Sequence, residues 1–215
     1  MHTLRTILYA ILFISHTYKI LFFEVPRTAS RSITNALTRL DPKSPTVIIR
    51  SIKRNSLHGL HAYKSSIVEK HPEYKLIATH RNPFDRLLSH YNYRLVNGNP
   101  DVLKSFTFAE YVNWVCSLKP NNIVPHALID IPITEMLPYD EVDFWVQFNR
   151  LDDDWLALSR YLGVTLPGLQ LLNASNVPEG TQSVYTKELA NKVKSRFESD
   201  FIKFNYNPES WIKKY

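Results

Sequence analysis

Two short stretches of the sequence carry side chains suited to binding phosphate-like anions. Residues 26–32 read PRTASRS, which places three hydroxyl side chains and two guanidinium groups within seven positions. Residues 81–89 read RNPFDRLLS, beginning with Arg81 and ending with Ser89. A guanidinium group can bind a tetrahedral oxyanion through two parallel hydrogen bonds, and hydroxyl groups add further donors. Each stretch therefore predicts an anion site.

The first stretch lies between a predicted strand and a predicted helix. Residues 19–25 are mostly large and apolar, which is typical of a buried strand. From about Arg31, apolar residues recur at helical spacing: Ile33, Ala36, Leu37 and Leu40. A turn that opens a helix offers unpaired backbone N–H groups and the positive end of the helix dipole to an anion. An ordinary strand–helix turn with two solvated arginines is the alternative interpretation.

The first stretch is not the phosphate-binding loop of ATPases. The pattern G-x-x-x-x-G-K-[ST] is absent, since residues 18–40 contain no glycine. Magnesium-dependent triphosphate chemistry is therefore not the first expectation.

The second stretch follows a predicted strand at residues 75–79. Asn82 and Pro83 favour a helix start, with asparagine as the N-cap and proline at the first helical position. The carboxyl ends of parallel strands face one crevice, so both stretches are expected to share it. Two phosphate-type sites in one crevice suggest a ligand with two anionic groups.

The remaining pattern alternates strands with helices and predicts one α/β domain, with a central parallel sheet flanked by helices. Further strands are expected at 46–50 and 143–148, and further helices at 61–71, 151–162 and 187–204. Thr107 and Glu110 form a capping-box pattern that predicts a helix start. Gly163 is expected to end the helix at 151–162. Residues 119–139 lack periodicity and are expected to form an irregular segment near the active face.

The N-terminus carries a separate apolar run, TILYAILFIS, at residues 6–15. It is too short to span a bilayer as a helix. We therefore divide the chain into an apolar extension at 1–17 and the α/β domain at 18–215. We interpret the extension as an additional packed element or as sequence upstream of the true domain, and favour a cytoplasmic location. A membrane-associated or secretory segment remains the alternative.

Composition narrows the class of partner. The 215 residues carry 26 basic and 20 acidic side chains, a formal charge of +6, which favours anionic partners. No block of consecutive basic residues indicates a nucleic-acid tail. Cys116 is the only cysteine, so an intramolecular disulfide is excluded and a reducing compartment fits.

The motifs resemble those of the carbohydrate sulfotransferases. Residues 25–35, VPRTASRSITN, are similar to the family's 5′-phosphosulfate loop, in particular to VPKTASTSFTN of the heparan sulfate 2-O-sulfotransferase branch. Residues 81–91, RNPFDRLLSHY, are similar to the family's 3′-phosphate element, R-[DN]-P-x-x-R-L-x-S. Residues 61–83, 148–164, 171–175, 184–193 and 204–208 resemble segments of bacterial members, sulfotransferase family 2. The resemblance covers roughly residues 18–207. The family's loop lysine is Arg27 here, as in tyrosylprotein sulfotransferases.

This resemblance implies a P-loop-like sulfotransferase fold and the donor 3′-phosphoadenosine 5′-phosphosulfate (PAPS), without a metal. Arg27 would stabilise the departing phosphate, and Arg81 and Ser89 would hold the 3′-phosphate. The 5′-phosphosulfate would be held by the remainder of the loop: Thr28, Ala29, Ser30, Arg31 and Ser32. Tyr185 and Lys187 match the C-terminal loop that closes over the donor.

The resemblance implies that the acceptor is a hydroxyl group of a glycan. No nucleic-acid partner is expected. An acceptor alcohol needs a base, and histidine has a suitable pKa range. His61 matches the family's histidine, and His58 is its neighbour. Two alternatives stay open: a non-catalytic protein that binds nucleotides, anions or glycans, and a kinase-like phosphotransferase of similar topology.

Overall fold

The computed structural model describes residues 8–44, 46–51, 68–97, 106–118, 128–137, 139–170 and 185–212. Within these ranges five strands form one sheet: β1 (Leu8–Ser15), β2 (Ile20–Phe23), β3 (Thr46–Ser51), β4 (Lys75–His80) and β5 (Phe144–Gln147). The strand order is β3-β1-β2-β4-β5. Strands β2, β4 and β5 run parallel, with Phe22 opposite Ile77 and Thr79 opposite Val146.

The apolar N-terminal run forms strand β1. This strand pairs antiparallel with β2 and β3, so residues 8–15 lie inside the sheet. A division between residues 17 and 18 therefore falls in the turn that joins two paired strands. The predicted α/β class is confirmed, with parallel strands flanked by helices, and the antiparallel pairings of β1 make the sheet mixed.

The helices of the described residues lie between and beyond these strands. They are α1 (Ser30–Leu40), α2 (Pro83–Asn97), α3 (Phe108–Ser117), α4 (Ile133–Met136), α5 (Leu151–Leu162), α6 (Lys187–Arg196) and α7 (Glu198–Lys203). Short 3₁₀ turns occupy Tyr139–Glu141 and Phe148–Arg150. None of the helices in this part of the chain is long and apolar enough to cross a membrane.

Local sequence signals set several helix ends as predicted. The backbone N–H of Phe84 donates to Asn82 Oδ1 at 3.0 Å, which caps α2. Thr107 and Glu110 form the reciprocal capping box of α3. Gly163 ends α5 with a left-handed φ of 66°. Of the helix predicted at 61–71, residues 68–70 are helical and the remainder lies outside the described residues.

The prediction of a single helix at 187–204 is wrong, because the helix is interrupted at Phe197. Its φ of −115° and ψ of 27° separate α6 from α7. Phe197 is buried among the side chains of α2, α3 and α6. Three residues later, the Asp200 carboxylate accepts hydrogen bonds from the backbone N–H groups of Ile133 and Thr134. These long-range contacts override the helical spacing.

Alternate residues of the central strands pack on opposite faces of the sheet. Ile20 and Phe22 of β2 pack with α1 and α5, in a cluster that includes Ile33 and Leu158. Leu21 and Phe23 point to the other face, where residues 128–137 cover them. A separate cluster joins α2, α3, α6 and α7. The ends of β2 and β4 are thereby fixed where the two predicted anion stretches begin.

Candidate functional site

A strained loop connects β2 to α1. Arg27 and Ala29 adopt left-handed backbone conformations, with φ of 68° and 65°. Side chains with a Cβ atom rarely occupy this region, and such strain persists only where surrounding contacts hold it. Glycine adopts such φ values without strain, whereas Ala29 carries a Cβ atom. The backbone shape of this loop is therefore imposed by its neighbours.

Carbonyl groups within the loop are held by its own side chains and by α1. Val25 O accepts hydrogen bonds from Thr28 Oγ1 at 2.7 Å and from Ser30 Oγ at 2.9 Å. Ala29 O accepts from the backbone N–H groups of Ser32 and Ile33, at 3.0 and 3.3 Å. Because the hydroxyl protons of Thr28 and Ser30 are engaged in this way, these two residues offer an anion their backbone N–H groups.

Two arginines from the second stretch hold the next carbonyl groups. Arg86 Nε donates to Pro26 O at 3.3 Å, and Arg81 Nη1 donates to Arg27 O at 3.2 Å. All described peptide bonds are trans, so each N–H points away from the carbonyl of its own peptide unit. The N–H of Thr28 consequently faces away from Arg81. In the described part of the chain, no acceptor pairs with the backbone N–H groups of Thr28, Ala29 or Ser30.

The Arg27 side chain joins the first stretch to the second. Its Nε and Nη2 atoms donate to Ser89 Oγ at 3.2 and 3.0 Å, and its Cζ lies 4.4 Å from the ring centre of Tyr93. Burial lowers the pKa of Arg27, and the nearby charge of Arg31 lowers it further. The two stretches that were predicted to share a crevice are therefore in direct contact through Arg27.

Arg81 carries a buried donor that has no partner in the described part of the chain. Its Cζ lies 3.7 Å from the ring centre of Phe148, and its Nε makes no hydrogen bond among the described residues. Burial lowers the pKa of Arg81 to about 10, and Asp85 partly opposes this while Arg27 adds to it. The group stays protonated at neutral pH. Two partly buried guanidinium groups and an unpaired donor together favour an anionic ligand.

The other predicted residues occupy different environments. Ser32 is buried and Arg31 is exposed, both in the first turn of α1. Tyr185 is buried beside α2, and its hydroxyl donates to Phe84 O at 2.9 Å, so that proton is already engaged. Lys187 is exposed at the start of α6. His61 and His58 lie outside the described residues. The assigned roles of all these residues stay predictions.

Three residues near the site were not singled out from the sequence. Arg86 contacts the backbone of Pro26. Tyr93 contacts the Arg27 guanidinium, and Phe148 contacts the Arg81 guanidinium. Arg86 was visible as the second arginine of the motif in residues 81–89. Tyr93 and Phe148 had no local signal. No group of three or more histidine, cysteine, aspartate or glutamate side chains in the described ranges is placed to hold a metal ion.

The fold and site define an α/β protein in which arginine side chains from two strand–helix junctions meet. A family model, Sulfotransfer_2, described as the sulfotransferase family, matches residues 11–207. The chain belongs to this family. Membership supports sulfuryl transfer as the general reaction and a sulfate donor as one substrate. No curated protein and no solved structure matches the chain.

Proposed function

We propose that this protein transfers a sulfuryl group from PAPS to a hydroxyl group of a carbohydrate, with His61 as general base. The observation that carries the proposal is the hydrogen-bonded pair of Arg27 and Ser89. It places a cation from the first anion loop on the last residue of the second. PAPS has a 5′-phosphosulfate and a 3′-phosphate on one nucleoside, so its two anionic groups fit two adjacent sites.

The residues present fit such a donor. The N–H groups of Thr28, Ala29 and Ser30 have no acceptor among the described residues and would hold the 5′ group. The buried Arg81 Nε has no partner in this part of the chain, and with the Ser89 hydroxyl it would hold the 3′-phosphate. When bound, PAPS supplies the sulfuryl group, and an activated acceptor oxygen would receive it.

Arg27 would serve the leaving phosphate. Sulfuryl transfer resembles phosphoryl transfer, in which enzymes mainly align the groups and stabilise charge on the leaving oxygens. A guanidinium group stays charged and can contact two oxygens at once, whereas a lysine contacts them as a point charge. Arg27 is half-buried, so its charge acts through fewer intervening water molecules than at an exposed position.

His61 would remove the acceptor proton. The proposal rests on its match to the family histidine and on the suitability of imidazole as a base near neutral pH. His80 is less suited to this role, because it is buried and stacked on Phe204 with ring centres 4.1 Å apart. Burial also lowers the pKa of His80 to about 4, which makes it a weak base.

A transfer assay tests the proposal. The protein is incubated with PAPS carrying radioactive sulfate and with panels of oligosaccharides, hydroxylated lipids and tyrosine peptides. We expect labelled product from the oligosaccharides and none from a matched reaction with Arg81→Ala. If only a peptide or a lipid becomes labelled, that class replaces carbohydrate as the proposed acceptor.

The two alternatives give different results in this assay and in a parallel reaction with labelled ATP in place of PAPS. A non-catalytic binding protein would bind the donor product, 3′-phosphoadenosine 5′-phosphate (PAP), and transfer no label to any panel. A kinase-like phosphotransferase would transfer phosphate from ATP and lose that activity with EDTA. Either result would reject sulfuryl transfer by this site.

A further inference from the structure

Arg86 is a fully buried arginine that binds three backbone carbonyl groups. It is 1% exposed. Its Nε donates to Pro26 O at 3.3 Å, Nη1 to Ile131 O at 2.9 Å and Nη2 to Leu128 O at 2.9 Å. The planar guanidinium holds its N–H groups at fixed angles, so these three acceptors fix its orientation.

Two of these carbonyl groups adjoin strained residues. Pro26 O belongs to the peptide that precedes Arg27, and Leu128 O belongs to a leucine with a φ of 48°. Neither Arg27 nor Leu128 is a glycine, so both left-handed conformations require support from neighbouring groups. Arg86 supplies a charged donor next to each of them. One side chain thus stabilises the anion loop and residues 128–131 together.

The positive charge of Arg86 is balanced by nearby carboxylates with which it forms no ion pair in the described residues. Asp200 and Asp130 are its electrostatic neighbours, and none of the ion pairs in the described residues includes Arg86. Asp200 binds the N–H groups of Ile133 and Thr134, at 2.8 and 2.9 Å. The segment at 128–134 is therefore held between the buried arginine and the buried carboxylate.

We infer that Arg86 is a positioning residue for the 5′ anion loop: through Pro26 O it keeps the loop in the strained form that presents the N–H groups of Thr28, Ala29 and Ser30 to the anion. This inference rests on the proposed function. A residue that only stabilises the core would affect the whole protein evenly. A positioning residue would affect the 5′ site and leave the 3′ site unchanged.

The test separates the two sites with three nucleotides. Dissociation constants are measured by calorimetry for PAP, which has both phosphates, for 5′-AMP and for 3′-AMP. Arg86→Lys keeps the positive charge and loses the three-way fork. We expect 5′-AMP and PAP to bind on the order of tenfold more weakly, because a hydrogen bond from a charged donor no longer fixes the loop. The dissociation constant of 3′-AMP should change less than about twofold.

Leu87→Ala is the matched control. Leu87 is 1% exposed on the same helix and packs in the cluster of α2, α3, α6 and α7. Its truncation lowers the melting temperature without touching the loop, so all three affinities should keep their ratios. If Arg86→Lys weakens 5′-AMP and 3′-AMP equally, or leaves 5′-AMP unchanged, Arg86 has no positioning role. If the unmodified protein binds none of the three nucleotides, the proposed function fails as well.

A measurement on the unmodified protein covers the case in which Arg86→Lys does not fold. Arginine side chains are labelled with ¹⁵N, and the resonance and hydrogen exchange of Arg86 Nε–H are followed by NMR. We expect slow exchange and a shift with 5′-AMP, since the proton lies on the loop carbonyl, and no shift with 3′-AMP. Fast hydrogen exchange at Arg86 Nε–H, or an Arg86 resonance that does not shift with 5′-AMP, would overturn the inference.

Discussion

The guanidinium group of Arg27 donates two hydrogen bonds to Ser89 Oγ, across 62 positions of sequence. The contact joins the loop after β2 to the helix after β4. A ligand phosphate placed at Ser89 would compete for the same guanidinium group, because both accept from its N–H donors. The two anion sites are therefore coupled through one side chain, and changes at Ser89 should be measurable in donor binding.

Ser89→Ala tests this coupling. The variant loses the hydroxyl that would donate to a 3′-phosphate, so PAP should bind roughly tenfold more weakly, as for one hydrogen bond to a charged group. The affinity for 5′-AMP should stay the same or rise, because Arg27 no longer donates to Ser89 Oγ. Isothermal titration calorimetry measures both values.

Ser195→Ala is the control for that experiment, since Ser195 is exposed on α6. It should leave both affinities unchanged. An equal loss of PAP and 5′-AMP binding in Ser89→Ala would contradict a 3′-specific role.

Arg27 and His61 should separate into donor and acceptor roles. Arg27→Ala should lower turnover and, to a smaller degree, donor affinity. His61→Ala should lower turnover by on the order of 10² to 10⁴ while PAP binding stays nearly intact, which is the usual effect of losing a general base. Steady-state kinetics and PAP titration check both variants. Near-normal turnover of His61→Ala would make His58, or a carboxylate of residues 119–139, the next candidate base.

Tyr185→Phe tests whether the tyrosine hydroxyl contacts the donor. That hydroxyl is buried and already donates to Phe84 O at 2.9 Å. The variant should lose about 0.5–1.5 kcal/mol of unfolding free energy, as for one buried hydrogen bond, with PAP affinity unchanged. Urea denaturation and PAP titration give the two values. A clear loss of PAP affinity without destabilisation would support the donor contact that the family resemblance implies.

His80 should make stability depend on pH. Burial lowers its pKa from 6.5 to about 4 in the folded protein, so between these values the unfolded chain binds more protons. Stability should therefore fall as the pH drops below about 6.5, and the full loss is reached below about 4. Between pH 7 and pH 5 the expected loss from this group is about 2 kcal/mol. Denaturant unfolding at each pH measures it.

His80→Phe keeps an aromatic ring against Phe204 and removes the titrating group, so the stability curve should flatten between pH 4 and 6.5. An unchanged slope in His80→Phe would mean that another group causes the loss of stability between pH 6.5 and 4.

The local parts of this structure could be predicted from the sequence. The Asn82 cap, the Thr107–Glu110 box and the end of α5 at Gly163 depend on residues a few positions apart, and each was found as expected. The strand–loop–helix order around residues 26–32 and 81–89 was likewise readable, because hydrophobic spacing and turn residues encode it.

Contacts between distant residues could not be predicted in the same way. The antiparallel pairing of β1 and the break at Phe197 depend on which surfaces meet after folding. The fork of Arg86 on Pro26, Leu128 and Ile131 joins three parts of the chain, although its arginine stood within the recognised motif. Residue spacing identified the two anion stretches, and packing determined how their arginines are oriented.

The most direct test of the account is the melting temperature with PAP, 5′-AMP and 3′-AMP at equal concentration. If both anion sites serve one ligand, PAP should stabilise the folded state far more than either single phosphate. A ligand at about 100 times its dissociation constant adds about 2.7 kcal/mol, which corresponds to roughly 5–10 °C for a chain of this size. Equal shifts for PAP and 5′-AMP would contradict a 3′-phosphate site at Arg81 and Ser89, and with it the assignment of PAPS as donor.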